Sequence, residues 1–96
     1  MEKINQENII PLANYFKALG DPTRLRILQL LSEGRYKVGE LAQLCGYSSA
    51  NISRHLSLLS QHGLIKRQAE GTSAYYYLDG EVVSVLCELV REKLAL

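Results

Sequence analysis

The chain has 96 residues, of which 47% are hydrophobic and 22% charged, with a formal net charge of +1. That is one domain of ordinary soluble composition, able to bury a modest core that a shared core in an oligomer would enlarge. No apolar run is long enough to span a bilayer, the polar start MEKINQEN is not a signal peptide, and two distant cysteines make no disulfide framework, so the expected place is the cytoplasm with no membrane partner.

Met1 to Leu19 reads as helical, with Ile9, Leu12, Ala13, Phe16 and Leu19 on one stripe. Pro11 falls inside that stripe. Proline is tolerated in a first helical turn and disruptive in an interior, so the helix is expected to start near Ile10, with Glu2 to Ile9 as a separate turn or arm. Gly20 ends it. Asp21-Pro22 is an N-cap followed by proline at the first helical position. The second helix then runs to about Leu31, with Leu25, Leu28 and Leu31 inward and Ile27 and Leu30 alongside. Arg24 and Arg26 interrupt this apolar helix. They read as solvated surface, with a structural ion pair or a phosphate contact as the other readings. Ser32-Glu33-Gly34 is a loop, and Arg35 to Val38 a short extended piece.

From Glu40 to Gly63 the pattern is helix, tight turn, helix. Val38, Leu41, Ala42 and Cys45 make one apolar face. Gly46 suits the left-handed end of a helix, and Ser48 or Ser49 supplies the N-cap oxygen of the next. That second helix places Ile52, Leu56 and Leu59 on a stripe, and Gly63 stops it. Its other face begins with Ser49, Asn51, Ser53 and Arg54, small hydrogen-bonding groups without apolar bulk. A helix that reads base edges in a major groove of double-stranded DNA needs such a surface.

After Gly63 the period changes to two. Leu64 to Arg67 and Ala74 to Leu78 are β-prone, with turn residues Gln68 to Ser73 between them, so a hairpin with its tip near Gly71 is expected. A hairpin directly after a reading helix is a wing. A last helix begins at Asp79 or Gly80 and carries Val82, Val83, Val85, Leu86, Leu89, Val90 and Leu94. One small domain can hardly hide so wide an apolar face together with that of the first helix, which implies a homodimer through the two terminal helices. The fold class is therefore mainly α with a small β-hairpin: four helices, two strands and a fifth helix, all one domain over residues 1–96.

Net charge hides a segregation. Residues 35–67 hold Arg35, Lys37, Arg54, Lys66 and Arg67 against Glu40 alone, an excess of four positive charges, while residues 68–96 carry a deficit of three. The excess lies in the segment with the reading helix and suits a polyanion there. Lys37, Lys66 and Arg67 are candidate phosphate contacts, which position without specifying sequence; ordinary surface charge is the competing reading.

The segments ALGDPTRLRILQLL (Ala18 to Leu31), VGELAQLCGYSSANISRHLSLLSQHGLI (Val38 to Ile65) and AYYYL (Ala74 to Leu78) together resemble the ArsR/SmtB family of bacterial winged-helix repressors. The resemblance covers nearly the whole chain. It implies a homodimer on a near-palindromic operator, with repression released by a metal ion, a metalloid or another chemical signal. The family's DNA-reading positions map to Ser48, Ser49, Asn51, Ser53, Arg54 and His55. Ser49 and Asn51 suit base edges, Asn favouring adenine; Arg54 suits guanine or a phosphate. Ser48 serves as cap and phosphate contact. His55, beside Leu56, is either a DNA contact or a hydrogen-bonded packing residue.

The chain departs from the family at two places. The wing tip, Gly71-Thr72-Ser73, lacks the arginine frequent there, so Thr72 is left to make wing contacts through hydroxyl and backbone groups. One family metal site would use Lys37 and Gly39, and another Gly80, Val82, Lys93 and Leu96; none is a ligand, and lysine would repel a cation. No metal and no cofactor is therefore expected, and the effector is open: redox state, a small molecule, an unusual metal or metalloid, or none. Cys45 and Cys87 both lie on apolar stripes, where a thiol packs as a small hydrophobe. Cys87, on the expected dimer helix, is also a candidate for oxidation or thiophilic metalloids, and Cys45 is a second candidate effector or redox residue. His62 suits a helix C-terminus. No carboxylate pair, nucleophile with a base, or glycine-rich phosphate loop appears at useful spacing, which argues against an enzyme. The alternative function is a winged-helix protein-interaction module without specific DNA binding.

Overall fold

The computed structural model describes residues 3–96. In order these form α1 (Gln6–Leu19), α2 (Pro22–Glu33), α3 (Val38–Cys45), α4 (Ser49–Gln61), β1 (Ile65–Glu70), β2 (Ser73–Leu78) and α5 (Val82–Lys93). The expected five helices and antiparallel hairpin are all present.

α1 starts four residues before Ile10 and runs through Pro11, so the separate arm does not exist as such; Met1 and Glu2, where that arm and the expected helix were to begin, lie outside the described residues. Proline removes the hydrogen bond to the carbonyl four residues earlier, that of Glu7. Glu7 is exposed, so that carbonyl is open to solvent rather than buried unpaired. α2 starts as expected: Pro22 is its first residue, and Asp21 Oδ2 accepts the Arg24 N–H at 3.0 Å. Ile27, Leu28, Leu30 and Leu31 are buried, but Leu25 is 42% exposed rather than inward. It stands in an open groove between α2 and α5.

The core is completed by Leu41 and Ala42 of α3, by Ile52, Leu56 and Leu59 of α4, and by Leu64, Ile65 and Val83. The hairpin is longer than expected. Gln68, Ala69 and Glu70 pair with Tyr75, Ala74 and Ser73, leaving only Gly71-Thr72 as the loop. Weak strand propensity in the polar residues yields to the continuing ladder, and Gly71, at φ 62°, takes the left-handed turn position. Tyr36 adds an isolated bridge, its N–H and C=O bonding Tyr76 at 3.1 and 2.8 Å. α5 begins at Val82, after the expected Asp79 or Gly80, because Gly80 sits at φ 77°, outside helical space.

Among the described residues two stripes find no cover. On α1 these are Ile9, Leu12 and Phe16; on α5, Val82, Val85 and Leu89 are each more than half exposed. Val83 alone on α5 is fully buried, with Cys87 packed half-buried beside it. The radius of gyration is 14.3 Å, against about 12.5 Å for a compact chain of this length. Among the described residues no helix is long and apolar enough to cross a membrane.

Candidate nucleic-acid interface

α3, the turn and α4 form the expected helix-turn-helix. Gly46 takes φ 73°, which turns its own N–H and that of Tyr47 back onto the Ala42 carbonyl at 2.9 and 3.1 Å. Ser48 is the N-cap of α4: its Oγ accepts the Asn51 N–H at 3.1 Å. α3 and α4 then bury opposed apolar faces. The back of α4 is anchored by Ile52, Leu56 and Leu59, none more than 1% exposed. Its front shows Ser48, Ser49, Ser53 and Arg54 to solvent. The result is a rigid rod with a polar, low-relief face at its N-terminal end, where backbone N–H groups and the helix dipole also favour phosphate.

Asn51 departs from expectation. Its Oδ1 is buried and has no hydrogen-bond partner. Bidentate pairing with adenine needs both ends of the amide facing outward, and here the carbonyl end turns in. Asn51 stands beside Ile52 at the edge of the buried stripe and is itself half-buried. His55 is half-buried and faces Arg24: Nδ1 lies 3.5 Å from Nη1. Arg24 is not the solvated residue that its position in the sequence suggests. Its Nε donates to the Ala18 carbonyl at 2.7 Å and its Nη2 to the Lys17 carbonyl at 3.0 Å. Arg26 does stay on the surface, bonded to Gln29 at 3.1 Å.

Of the candidate phosphate contacts, Arg54 and Arg67 are exposed, and neither forms an ion pair among the described residues. Lys66 lies 3.6 Å from Asp79, an exposed pair of little energetic weight that a phosphate can displace. Lys37 is the N-cap of α3, where its N–H bonds Glu40 Oε1 at 2.8 Å, and its ammonium sits 5.4 Å from the centre of the Tyr75 ring of the wing. Thr72 is exposed at the wing tip. One cation of the basic excess, not among the candidate phosphate contacts, lies beside this set. Arg35 stacks 4.1 Å over the same Tyr75 ring and pairs with Glu70 at 2.7 Å, so it neutralises the acidic residue next to the tip. Nothing local in the sequence marks that pairing, which spans 35 positions.

Two other groups are electrostatically tuned. The Asp21 carboxyl is held below the usual carboxylate range, first by the Arg24 backbone N–H it accepts; burial opposes this, and the nearby Arg24 guanidinium adds to the lowering. Burial pushes the Cys45 thiol up, against a smaller opposing pull from Arg26. Cys87 lies on the wall of the α2–α5 groove, about 600 Å³ in volume, which Leu25, Leu28, Val83, Arg26 and Arg91 also line. Among the described residues no three His, Cys, Asp or Glu side chains gather closely enough to hold a metal ion.

Residues 21–67 match the family described as "Bacterial regulatory protein, arsR family". The chain is similar to a cadmium resistance transcriptional regulatory protein, a CadC homolog from Staphylococcus aureus, at 42% identity over 84 residues, covering 86% of this chain and 69% of that protein. It is also similar to the transcriptional repressor SdpR of Bacillus subtilis, at 40% identity over 70 residues, covering 73% of this chain and 78% of the repressor. Among solved structures it is similar to a homodimeric winged helix-turn-helix DNA-binding domain, Mb0332 from Mycobacterium bovis, described as a possible ArsR-family transcriptional regulator. That match has a TM-score of 0.85 at 32% identity and covers 99% of this chain and 91% of the other.

Proposed function

The chain belongs to the bacterial arsR family of regulatory proteins and is a transcriptional regulator, not an enzyme; on that premise we propose that it works as a symmetric dimer which represses by occupying a near-palindromic operator. The observation that carries the reading is the two-sidedness of α4: a back buried to within 1% and a front of exposed hydroxyl and guanidinium groups. Ser49, Ser53 and Arg54 would meet base edges or phosphates, joined by Asn51 after its amide turns outward. Ser48 would hold a phosphate while capping the helix, and Thr72 would brush the backbone from the wing. Lys37, Lys66 and Arg67 would fix register on the duplex.

The dimer is supported by the uncovered stripes of α1 and α5. Their apolar residues recur at the same three- and four-residue spacing, and mutual burial removes both from water. Two copies then present α4 to successive major grooves, with half-sites about one helical turn, roughly 34 Å, apart. We place any release signal away from the family's two metal positions, because Lys37, Gly39, Gly80, Val82, Lys93 and Leu96 offer no ligand. Redox state, a small molecule, or an ion on unusual ligands are the classes to screen.

Fluorescence anisotropy on a labelled duplex from the protein's own promoter region tests the proposal. If the four cations of each protomer engage phosphate, the slope of log affinity against log salt should be on the order of −7. Binding that follows salt but ignores sequence would refute the repressor reading and favour a module that uses α1 and α5 to hold another protein.

A further inference from the structure

Arg24, on α2, ties two other helices together, α1 and α4. Two of its nitrogens hold the Ala18 and Lys17 carbonyls in the last turn of α1, where carbonyls outnumber intrahelical donors. The guanidinium therefore acts as a C-cap for α1 supplied by α2. Ala18 is 1% exposed, so its carbonyl has little access to water and needs this donor. The third nitrogen, Nη1, faces His55 Nδ1 on α4 at 3.5 Å. A guanidinium only donates, so Nδ1 is the accepting nitrogen and the ring proton sits on Nε2 when the contact is made. The backbone of Arg24 is itself pinned by Asp21.

The angles between the N–H groups of a guanidinium are fixed by its planarity. A shift of the α1 end is thus carried to the point where His55 finds its partner. α1 bears one of the stripes assigned to the dimer contact, and α4 bears the reading face. In a dimer, the separation of the two reading faces depends on how each α4 is held, through Arg24 of α2, relative to the α1 of its own protomer.

We infer that Arg24 and His55 are a positioning pair that sets the spacing between the two reading helices, without contact to a base. The inference rests on the dimeric DNA-binding reading above. It assigns His55 to the protein's interior linkage rather than to the duplex.

The test begins with an operator selected from random duplexes by the wild-type protein. It is remade with its half-sites one base pair closer and one farther apart, and as an isolated half-site. Wild type is compared with Arg24→Lys, His55→Leu and His55→Asn. Lysine has one head and cannot span two carbonyls and a ring. Asparagine returns an acceptor near the position of Nδ1, and leucine does not. Wild type should lose about tenfold or more in affinity on the altered spacings. Arg24→Lys and His55→Leu should cut that discrimination to about threefold or less, with half-site affinity within about twofold of wild type, and His55→Asn should keep the wild-type ratio.

Unchanged discrimination in His55→Leu overturns the inference. So does a uniform loss at every spacing and on the half-site, which would mean direct contact with DNA. Thermal melts run alongside; if Arg24→Lys does not fold, His55→Leu decides, since it leaves both carbonyl bonds in place. If wild type selects no sequence, the DNA-binding reading falls, and amide exchange in the free protein decides the linkage. Faster exchange along α4 in His55→Leu, restored in His55→Asn, supports it, and equal exchange in all three refutes it.

Discussion

Replacing Leu89 with glutamate strikes the middle of the α5 stripe. Leu89 is 57% exposed in the single chain. Burying a whole leucine side chain is worth about 1.5–3 kcal/mol, so covering the exposed part in a dimer yields about 1–1.5 kcal/mol per protomer, counted twice by symmetry. A glutamate there forfeits that and adds a carboxylate without a partner, costing about 2 kcal/mol more per copy. The total is about 6 kcal/mol. If half is relieved by side chains turning to solvent, dimer dissociation still rises by at least about a hundredfold. Sedimentation equilibrium over a wide concentration range reads this directly. Leu44→Glu is the control: Leu44 is 50% exposed but lies on α3, off both stripes. A Leu89→Glu protein that dimerises as tightly as wild type, or a Leu44→Glu protein that dissociates equally, would refute the assignment of α1 and α5 as the interface.

Three further outcomes follow from particular residues. Asp21→Ala should cost about 1 kcal/mol at neutral pH through loss of the α2 cap. Because the folded carboxyl lies below its ordinary value, that contribution is present above the ordinary carboxylate pKa and fades as pH falls through the lowered one. Melting curves of the two proteins should therefore converge on strong acidification, and a constant difference would exclude the carboxylate as its source. Asn51→Ala should leave thermal stability unchanged or higher, since it deletes a buried acceptor without a partner, while weakening operator binding by about tenfold or more; parallel loss of both would make Asn51 a structural residue. Cys45 should alkylate more slowly in the folded protein than in denaturant at the same pH, because burial disfavours its thiolate; equal rates would show an open, reactive thiol.

Short-range chemistry was legible in the chain itself. Asp21-Pro22, Gly46 and Ser48 each declare a helix boundary through bonds that span five residues or fewer, so no distant partner is needed to read them. The apolar stripes of α3 and α4 and the change of period after Gly63 likewise located the turn between reading helix and wing. Pro11 misled because its cost depends on whether the freed carbonyl meets water, and that is settled by exposure rather than by residue type. Gln68 to Glu70 misled because a growing ladder recruits residues of poor strand propensity.

Only the tertiary structure decided what the long-range contacts do. Arg24 and His55 are 31 positions apart, and Arg35 and Glu70 are 35 apart. Their pairing follows from how whole elements pack, not from any spacing a sequence displays. The same holds for the inward turn of Asn51. Local hydrogen bonding and periodicity dictate which elements form, whereas burial and cross-element pairing are properties of the assembled core and exist only once those elements have met.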